Sequence, residues 1–482
     1  MAVLANCKPT DVFHYFEQIC KIPHGSRNEK AISDYIRDWA QGQGLAVVQD
    51  DLHNLIIKKP ASAGYEAAPA VIIQGHTDMV CEKNADVEFD FFKDPLDIYV
   101  DGDYIKARGT TLGADNGIAV AMAMAILADN TLEHPPLEIV LTSVEEAGMD
   151  GAKAIDASHL AAKRLINVDL GEEGIFLSSC AGGCYVYVKL DLEYQPMPSG
   201  DFAAYKLFVG GLQGGHSGID IDKERGNSNR ILARALDAVK TPYFLSYVDG
   251  GSKTNAIPRE AFAIVRVKKD EAGKLKQEVA EIDKAVKADY AHSDAGVFIT
   301  AEEVTCDGQI FAEETKKNAI ALMLTIPHGV DHMSASLPGL VETSNNLGVV
   351  KIIDGVLDIP CAVRSSSESR KWVLARRITV IAEAFGAKCE TSEGYSGWQY
   401  SPQSELRDIF TAAYAKKFGK EASVVAMHAG VECGIFADKI DGIDMIALGP
   451  EMHGIHTPEE KLSIGSTERT YGFLLDVLKS MK

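Results

Sequence analysis

The sequence predicts an α/β fold interrupted by an inserted, strand-rich α+β domain, and three observations carry that reading. Short apolar runs with β-branched residues at 70–73, 137–144 and 165–168 read as buried strands, each ending in polar residues. A glycine-rich loop at 109–117 opens a long Ala/Met-rich helix among them. The texture turns strand-rich from about Tyr185 and reverts past the Gly394-Tyr395-Ser396-Gly397-Trp398 turn. A chain of 482 residues also exceeds one typical core of ~100–200 residues.

Taken in order, Thr10 is placed to cap a first helix that turns Phe13, Phe16 and Cys20 to one side. Asn28 is placed to cap a second, with Ile32, Tyr35, Ile36 and Trp39 inward. The loop between them carries His24, read as a structural or surface histidine. Strands follow at 45–49 and 54–58, and a turn-rich link at 60–69 leads into the run that ends Gly75-His76-Thr77-Asp78. Residues 98–107 form a strand pair around Asp101-Gly102-Asp103. The loop at 109–117 lacks the Lys-Ser/Thr ending of a phosphate loop, and Asp115 stands at the helix start, where a capping role is the plain alternative. In the insert, strands are expected at 184–192, 204–209, 261–268, 349–354 and 356–364, with helices at 227–240 and 371–385, as a loose internal duplication. The last part, with a helix at 404–418 and apolar segments at 424–427 and 444–448, returns to the first domain. The expected boundaries are 1–186 and 398–482 for the two parts of the first domain and 187–397 for the insert.

A net charge of −21 argues against nucleic acid or an anionic membrane as partner. The longest apolar run, 118–128, is far short of the ~20 residues that span a bilayer. No secretory signal is visible, and nine cysteines without regular spacing fit a reducing cytoplasm.

In open α/β sheets ligands bind beyond the carboxyl ends of the strands. Three strand ends here carry His76 with Asp78, Glu145-Glu146, and Asp169, with Asp115 in an intervening loop. The last part adds His428, Glu432 and the run His453-Gly454-Ile455-His456, whose spacing does not choose between its two histidines. One His-x-Asp is weak, since His292-Ser293-Asp294 repeats it in a polar segment. The joint pattern is strong: imidazoles and carboxylates without cysteine suit catalytic zinc, cobalt or manganese. A pair of metals needs one bridging carboxylate plus two further ligands each, and the inventory leaves one carboxylate over.

The blocks His76-Thr77-Asp78-Met79-Val80, Gly113-Ala114-Asp115-Asn116-Gly117, Thr142-Ser143-Val144-Glu145-Glu146-Ala147-Gly148, Asn167-Val168-Asp169 and Gly454-Ile455-His456-Thr457-Pro458-Glu459-Glu460 occur in that order. With them the chain resembles the co-catalytic zinc metallopeptidases related to carboxypeptidase G, acetylornithine deacetylase and the carnosine-type dipeptidases. The likeness covers nearly the whole chain and implies a mixed-sheet catalytic domain flanked by helices, with an inserted α+β lid. It implies two zinc ions, replaceable by cobalt or manganese. Asp115 would bridge them, His76 and Asp169 would complete one site, and Glu146 and His456 the other. Glu145 would be the free base and Asp78 the carboxylate that orients His76. A metal-bridging hydroxide would be the nucleophile.

Gly214-Gly215-His216-Ser217-Gly218, Thr254-Asn255-Ala256-Ile257-Pro258, the segment from His428 to Gly434 and the large insert point, within that family, to the aminoacyl-histidine dipeptidase group. By resemblance, His216 and Asn255 would hold the developing oxyanion, and His428 and Glu432 would lie near the site without a defined role. Arg364 could pair with a substrate carboxylate, its plain alternative being a surface arginine. The expected activity is cytoplasmic hydrolysis of Xaa-His dipeptides, β-alanyl-histidine (carnosine) included, and of other dipeptides. An N-acyl amino-acid amidohydrolase with the same metals, and a non-catalytic binding protein bearing a metal site, are the alternatives. The insert is about double the usual lid, so it could supply its histidine within one chain or pair two chains as a homodimer.

Overall fold

The computed structural model describes residues 2–482, which form two compact units. One comprises the chain up to Ser179 with Tyr400–Ala426 and Val431–Lys482; the other comprises Cys180–Gln399 with Met427–Gly430. The division falls a few residues before the expected 186–187 because the strand Gly182–Asp191 pairs along its whole length with Val356–Ser365 of the second unit.

The first unit begins with α1 (Thr10–Ile19) and α2 (Lys30–Gly42), followed by β1 (Ala46–Gln49), β2 (Leu55–Lys59) and β3 (Val71–His76). After β4 (Ile98–Asp101) and β5 (Tyr104–Ala107) come α3 (Ala114–Ala128), β6 (Leu137–Thr142), α4 (Asp150–Ala154), β7 (Arg164–Asn167) and β8 (Ile175–Cys180). Eight strands make one mixed sheet in the order β1, β2, β6, β3, β7, Asp444–Ala447, β8, Ser423–Met427. Its centre is parallel, with β3 between β6 and β7. Strands covered on both faces carry no polar alternation, and every residue of β3 and β6 is buried.

One face of the sheet, through Leu55, Ile57, Val71, Ile73, Leu137 and Ile139, shares a core with α1, α3 and the helices Glu405–Phe418 and Ile464–Ser480. Helix α3 is apolar on all sides because it is buried on nearly all of them. Its C-terminal carbonyls would be left unpaired in that core. The buried Lys59 amine answers them, donating to Ile126 O (2.9 Å), Leu127 O (3.1 Å) and Asp129 O (2.7 Å).

Two expected caps are absent. Thr10 is the first residue inside α1, behind Pro9, and neither helix start carries a side-chain cap. Asn28 lies in a turn closed onto Gly25 O, and the residue before α2 is Glu29. Glu29 is buried and spends its carboxylate on the amides of Arg27 and Val144, which ties it to the turn after β6.

The second unit holds two larger antiparallel sheets and two two-stranded ones. Four strands run in the order Phe244–Gly250, Ala261–Lys268, Phe202–Gly210, Phe298–Val304. Six others centre on Val356–Ser365 and Gly182–Asp191. Helices Ser228–Ala238, Ala272–Asp289, Glu313–Thr325 and Glu368–Ala384 complete a common core. Helix Ala272–Asp289 escaped the sequence reading because only Leu275, Val279 and Val286 of its eighteen residues are buried. No disulfide joins the nine cysteines, and no helix among the described residues is long and apolar enough to cross a membrane.

Gly75, next to His76, faces α3 so closely that an added Cβ would lie 2.4 Å from Asn116 Oδ1 and 2.8 Å from Ala119 Cβ. Gly75→Ala is therefore expected to lower unfolding free energy by about 1–3 kcal/mol through overpacking, read as a reduced urea midpoint at unchanged slope. A wild-type midpoint would refute the packing argument.

Candidate metal centre

Parallel pairing brings His76 opposite Thr142 and Gln74 opposite both Val140 and Asn167. The carboxyl ends of three neighbouring strands thereby present His76, the Glu145-Glu146 turn and Asp169 side by side. Val144, a β-branched residue, takes φ 53° just before the two glutamates. Such a conformation is costly and persists where the surroundings hold it. Here both oxygens of the buried Asp78 hold the turn, accepting the amides of Glu145 (3.0 Å) and Glu146 (3.2 Å), while Ser26 Oγ donates to one of them.

Asp115 arrives from the loop that precedes α3. It does not cap that helix: Gly113 is the left-handed residue at the cap position, and Asp115 itself is non-helical at φ −81°, ψ 102°. The amides a cap would serve are taken instead by Glu460, which accepts from Leu112, Gly113, Ala114 and Asp115. The Asp115 carboxylate is left to face outward between two imidazoles. Its Oδ1 lies 3.1 Å from His76 Nε2, and its Oδ2 lies 3.4 Å from His456 Nε2. Asp169 Oδ1 is 3.6 Å from His76 Nε2, and Glu146 Oε1 is 2.8 Å from His456 Nε2. His76, Asp115 and Glu146 offer ligand atoms that all lie within 4.8 Å of one another.

This donor set fits a cation. His76 Nδ1 donates to Asp78 O (3.0 Å) and has Asp78 Oδ1 at 3.4 Å, so its Nε2 presents a lone pair to carboxylate oxygens. Lone pairs facing one another at that distance require a proton or a metal between them. Without a metal the proton takes that place. Burial disfavours the charge on His76, yet Asp169 and Asp115 hold its proton affinity well above the ordinary range. Hydrogen bonds donated to Asp115 and Glu146 push His456 up to about 10. Burial pushes Asp169 up to about 7 against the pull of His76. Glu145 is raised as well, by burial and by the charges of Asp169, Glu432 and Glu146.

His453, which spacing left open, is exposed, pairs with Glu451 at 2.7 Å and stands beside the Tyr104 ring. His24 is buried, not a surface residue, and donates from Nδ1 to Ile22 O. Glu432 is fully buried behind the strand ends. One of its oxygens accepts from Gln74 Nε2 and Thr142 Oγ1, and Gln74 in turn accepts from Asn167. This chain of polar side chains laces β6, β3 and β7 just below the site. Nothing in the local sequence marks Glu432 or Glu460 for these tasks, because their partners are distant in the chain.

The remaining candidates belong to the second unit. His216 and Asn255 are neighbours: Gly215–His216 pairs with Ala256–Ile257, and Ser217 N donates to Asn255 O. His216 Nδ1 accepts the amides of Gly218 and Ile219, both at 3.2 Å, which leaves the ring proton on Nε2. Burial and Arg364 lower its proton affinity, so it is a neutral donor. Arg364 is not an ordinary surface arginine: it is half-buried, donates to Tyr395 Oη (3.1 Å) and keeps a buried Nε without a partner. His428 is buried, shares a hydrogen bond with Ser344 Oγ (2.7 Å) and is held neutral by burial, at about 3. The second His-x-Asp has a structural explanation, since Asp294 is buried and accepts the amides of Gln213 and Gly226.

A mixed sheet that gathers imidazoles and carboxylates at its carboxyl edge is an arrangement suited to a metal-dependent hydrolase. The chain belongs to Peptidase family M20/M25/M40, whose pattern it matches over residues 72–480. It is 38% identical over 483 residues to the cytosol non-specific dipeptidase of Escherichia coli, an alignment covering 100% of this chain and 99% of that one. It is likewise similar to the crystal structure of aminoacylhistidine dipeptidase from Vibrio alginolyticus: TM-score 0.93, 36% identity, 99% of this chain and 98% of that one. Aminopeptidase PepT of Bacillus cereus, at TM-score 0.56 and 15% identity over 98% of this chain and 99% of that one, shares the fold.

Because both Asp78 oxygens accept amides, Asp78→Asn turns one acceptor into a donor facing an N–H. The expected result is a loss of about 10–100-fold in metal affinity, measured by competition with a chromogenic chelator. Wild-type affinity would mean that the Glu145-Glu146 turn holds itself.

Proposed function

We propose that this protein is a cytoplasmic dipeptidase that hydrolyses Xaa-His dipeptides, β-alanyl-histidine included, and tolerates other dipeptides, using two zinc ions replaceable by cobalt or manganese. The observation that carries this reading is the Asp115 carboxylate, with one oxygen toward each of two imidazoles. His76 and Asp169 would complete one site and Glu146 and His456 the other. Four carboxylates, counting Glu145, crowd a site whose imidazoles are neutral ligands, a charge that two dications balance. The names of the two similar proteins support a dipeptide substrate, one described as non-specific and the other as aminoacylhistidine-directed.

The ions would polarise the peptide carbonyl and acidify a water from a pKa of ~15.7 towards ~7. Glu145 lies outside the ligand set and would take a proton from the attacking water and return it to the leaving amine. Asp78 fixes where Glu145 starts, through its backbone amide. His216, neutral with its proton on Nε2, and Asn255 would donate to the developing oxyanion. Arg364 would take the substrate's terminal carboxylate.

Purified protein should hydrolyse β-alanyl-histidine and Ala-His, lose that activity on chelation and regain it with zinc, cobalt or manganese. Hydrolysis confined to N-acetyl amino acids would sink the dipeptidase reading in favour of an amidohydrolase. Glu145→Gln should keep its metal while kcat falls by at least about 10²-fold. Near-wild-type turnover in that variant would remove Glu145 from the role of base.

A further inference from the structure

We propose that Glu460 is a positioning residue for the metal pair: it ties the loop that bears His456 to the loop that bears Asp115 and so sets the spacing of those two ligands. The inference rests on the two-metal reading above. Glu460 is only 2% exposed, and each of its oxygens takes two consecutive amides. Oε2 accepts from Leu112 (2.8 Å) and Gly113 (3.2 Å); Oε1 accepts from Ala114 (2.9 Å) and Asp115 (3.3 Å). Four successive N–H groups converging on one carboxylate fix that backbone and answer the unpaired amides of a helix start with negative charge. They also release the Asp115 side chain from capping, so that it can face the imidazoles.

The other end of the tie is the short loop from Gly454 to Glu460. It is closed by Thr457 N to Gly454 O and by Glu460 N to Thr457 O, both at 3.0 Å. Within it His456 takes the left-handed conformation at φ 64°, which a non-glycine residue holds only where its surroundings require it. The His456 side chain is 49% exposed, so no core packing places it. Its position is set by the loop, which is held by Ile455 packed against the core and by the buried carboxylate of Glu460. His76 stands in contrast: it is buried at the end of β3 and oriented by Asp78. Loss of Glu460 should therefore weaken chiefly the site of Glu146 and His456, because the other site shares only the bridging Asp115 and keeps His76 and Asp169 at their strand ends.

The test is zinc titration of metal-free protein against a competing chelator, with Co(II) absorption as a second reading of each site, on wild type and Glu460→Gln. The carboxamide keeps one acceptor and turns an NH₂ toward two of the four amides. Wild type should bind two ions per chain; one or none would overturn the two-metal reading and the pair that the tie would position. In E460Q one ion should weaken by about 10–100-fold while the other, which shares only the bridging Asp115, weakens distinctly less. Wild-type affinity for both ions would overturn the inference and leave the two-metal reading standing. So would equal weakening of both with a lowered melting temperature, which is the mark of a purely structural residue. If E460Q does not fold, Glu460→Asp, which keeps the charge but retracts it by one methylene, is measured in the same way: selective weakening of one ion supports the tie, and wild-type affinity for both overturns it.

Discussion

The parallel pairing of β3 with β6 on one side and β7 on the other is the constraint on which the rest of the centre depends. Residues at the ends of adjacent parallel strands stand roughly 5 Å apart, a spacing that suits ligands of one cation or of two neighbouring ones. Register matters as much as adjacency, since a one-residue slip turns every side chain to the opposite face. Full burial of β3 and β6 on both faces gives the sheet apolar contacts on each side. The Glu432–Gln74–Asn167 chain adds polar contacts across the same three strands, which only one alignment satisfies.

Beyond the strand ends, backbone geometry is held by buried carboxylates. Asp78 grips the amides of Glu145 and Glu146, Glu29 that of Val144, and Glu460 those at 112–115. Each accepts from main-chain donors that have no partner in regular structure, and a charged acceptor binds them about twice as strongly as a neutral one. The strained Val144 lies within a gripped segment, and the strained His456 lies on the loop that ends at the gripping Glu460. A site that must keep several anionic ligands close together needs such external bracing, because the ligands repel one another until a cation is bound.

Much of this was legible in the sequence. Apolar runs ending in His76, Glu145-Glu146 and Asp169 marked the three strand ends, and the glycine-rich loop marked the approach of Asp115, because strand burial and left-handed glycines write themselves into local composition. Elements with little burial did not show. Helix Ala272–Asp289 reads as a polar stretch, and the caps expected of Thr10 and Asn28 were overridden by Pro9 and by the buried Glu29.

By itself the sequence determined the residue types of the site, the order in which they are delivered and, through its motifs, the likeness to a peptidase family. Spacing could not separate His453 from His456, nor say whether Asp115 caps a helix or faces two imidazoles. The family likeness selected His456, while tertiary structure turned His453 outward to Glu451 and handed the helix amides to Glu460, nearly 350 residues further along the chain. It also gave Glu432 its partners on β3 and β6. The physical reason is the same throughout: burial pattern is a local property of the chain, whereas the partner of a buried charge is chosen by whatever the fold brings within hydrogen-bond reach.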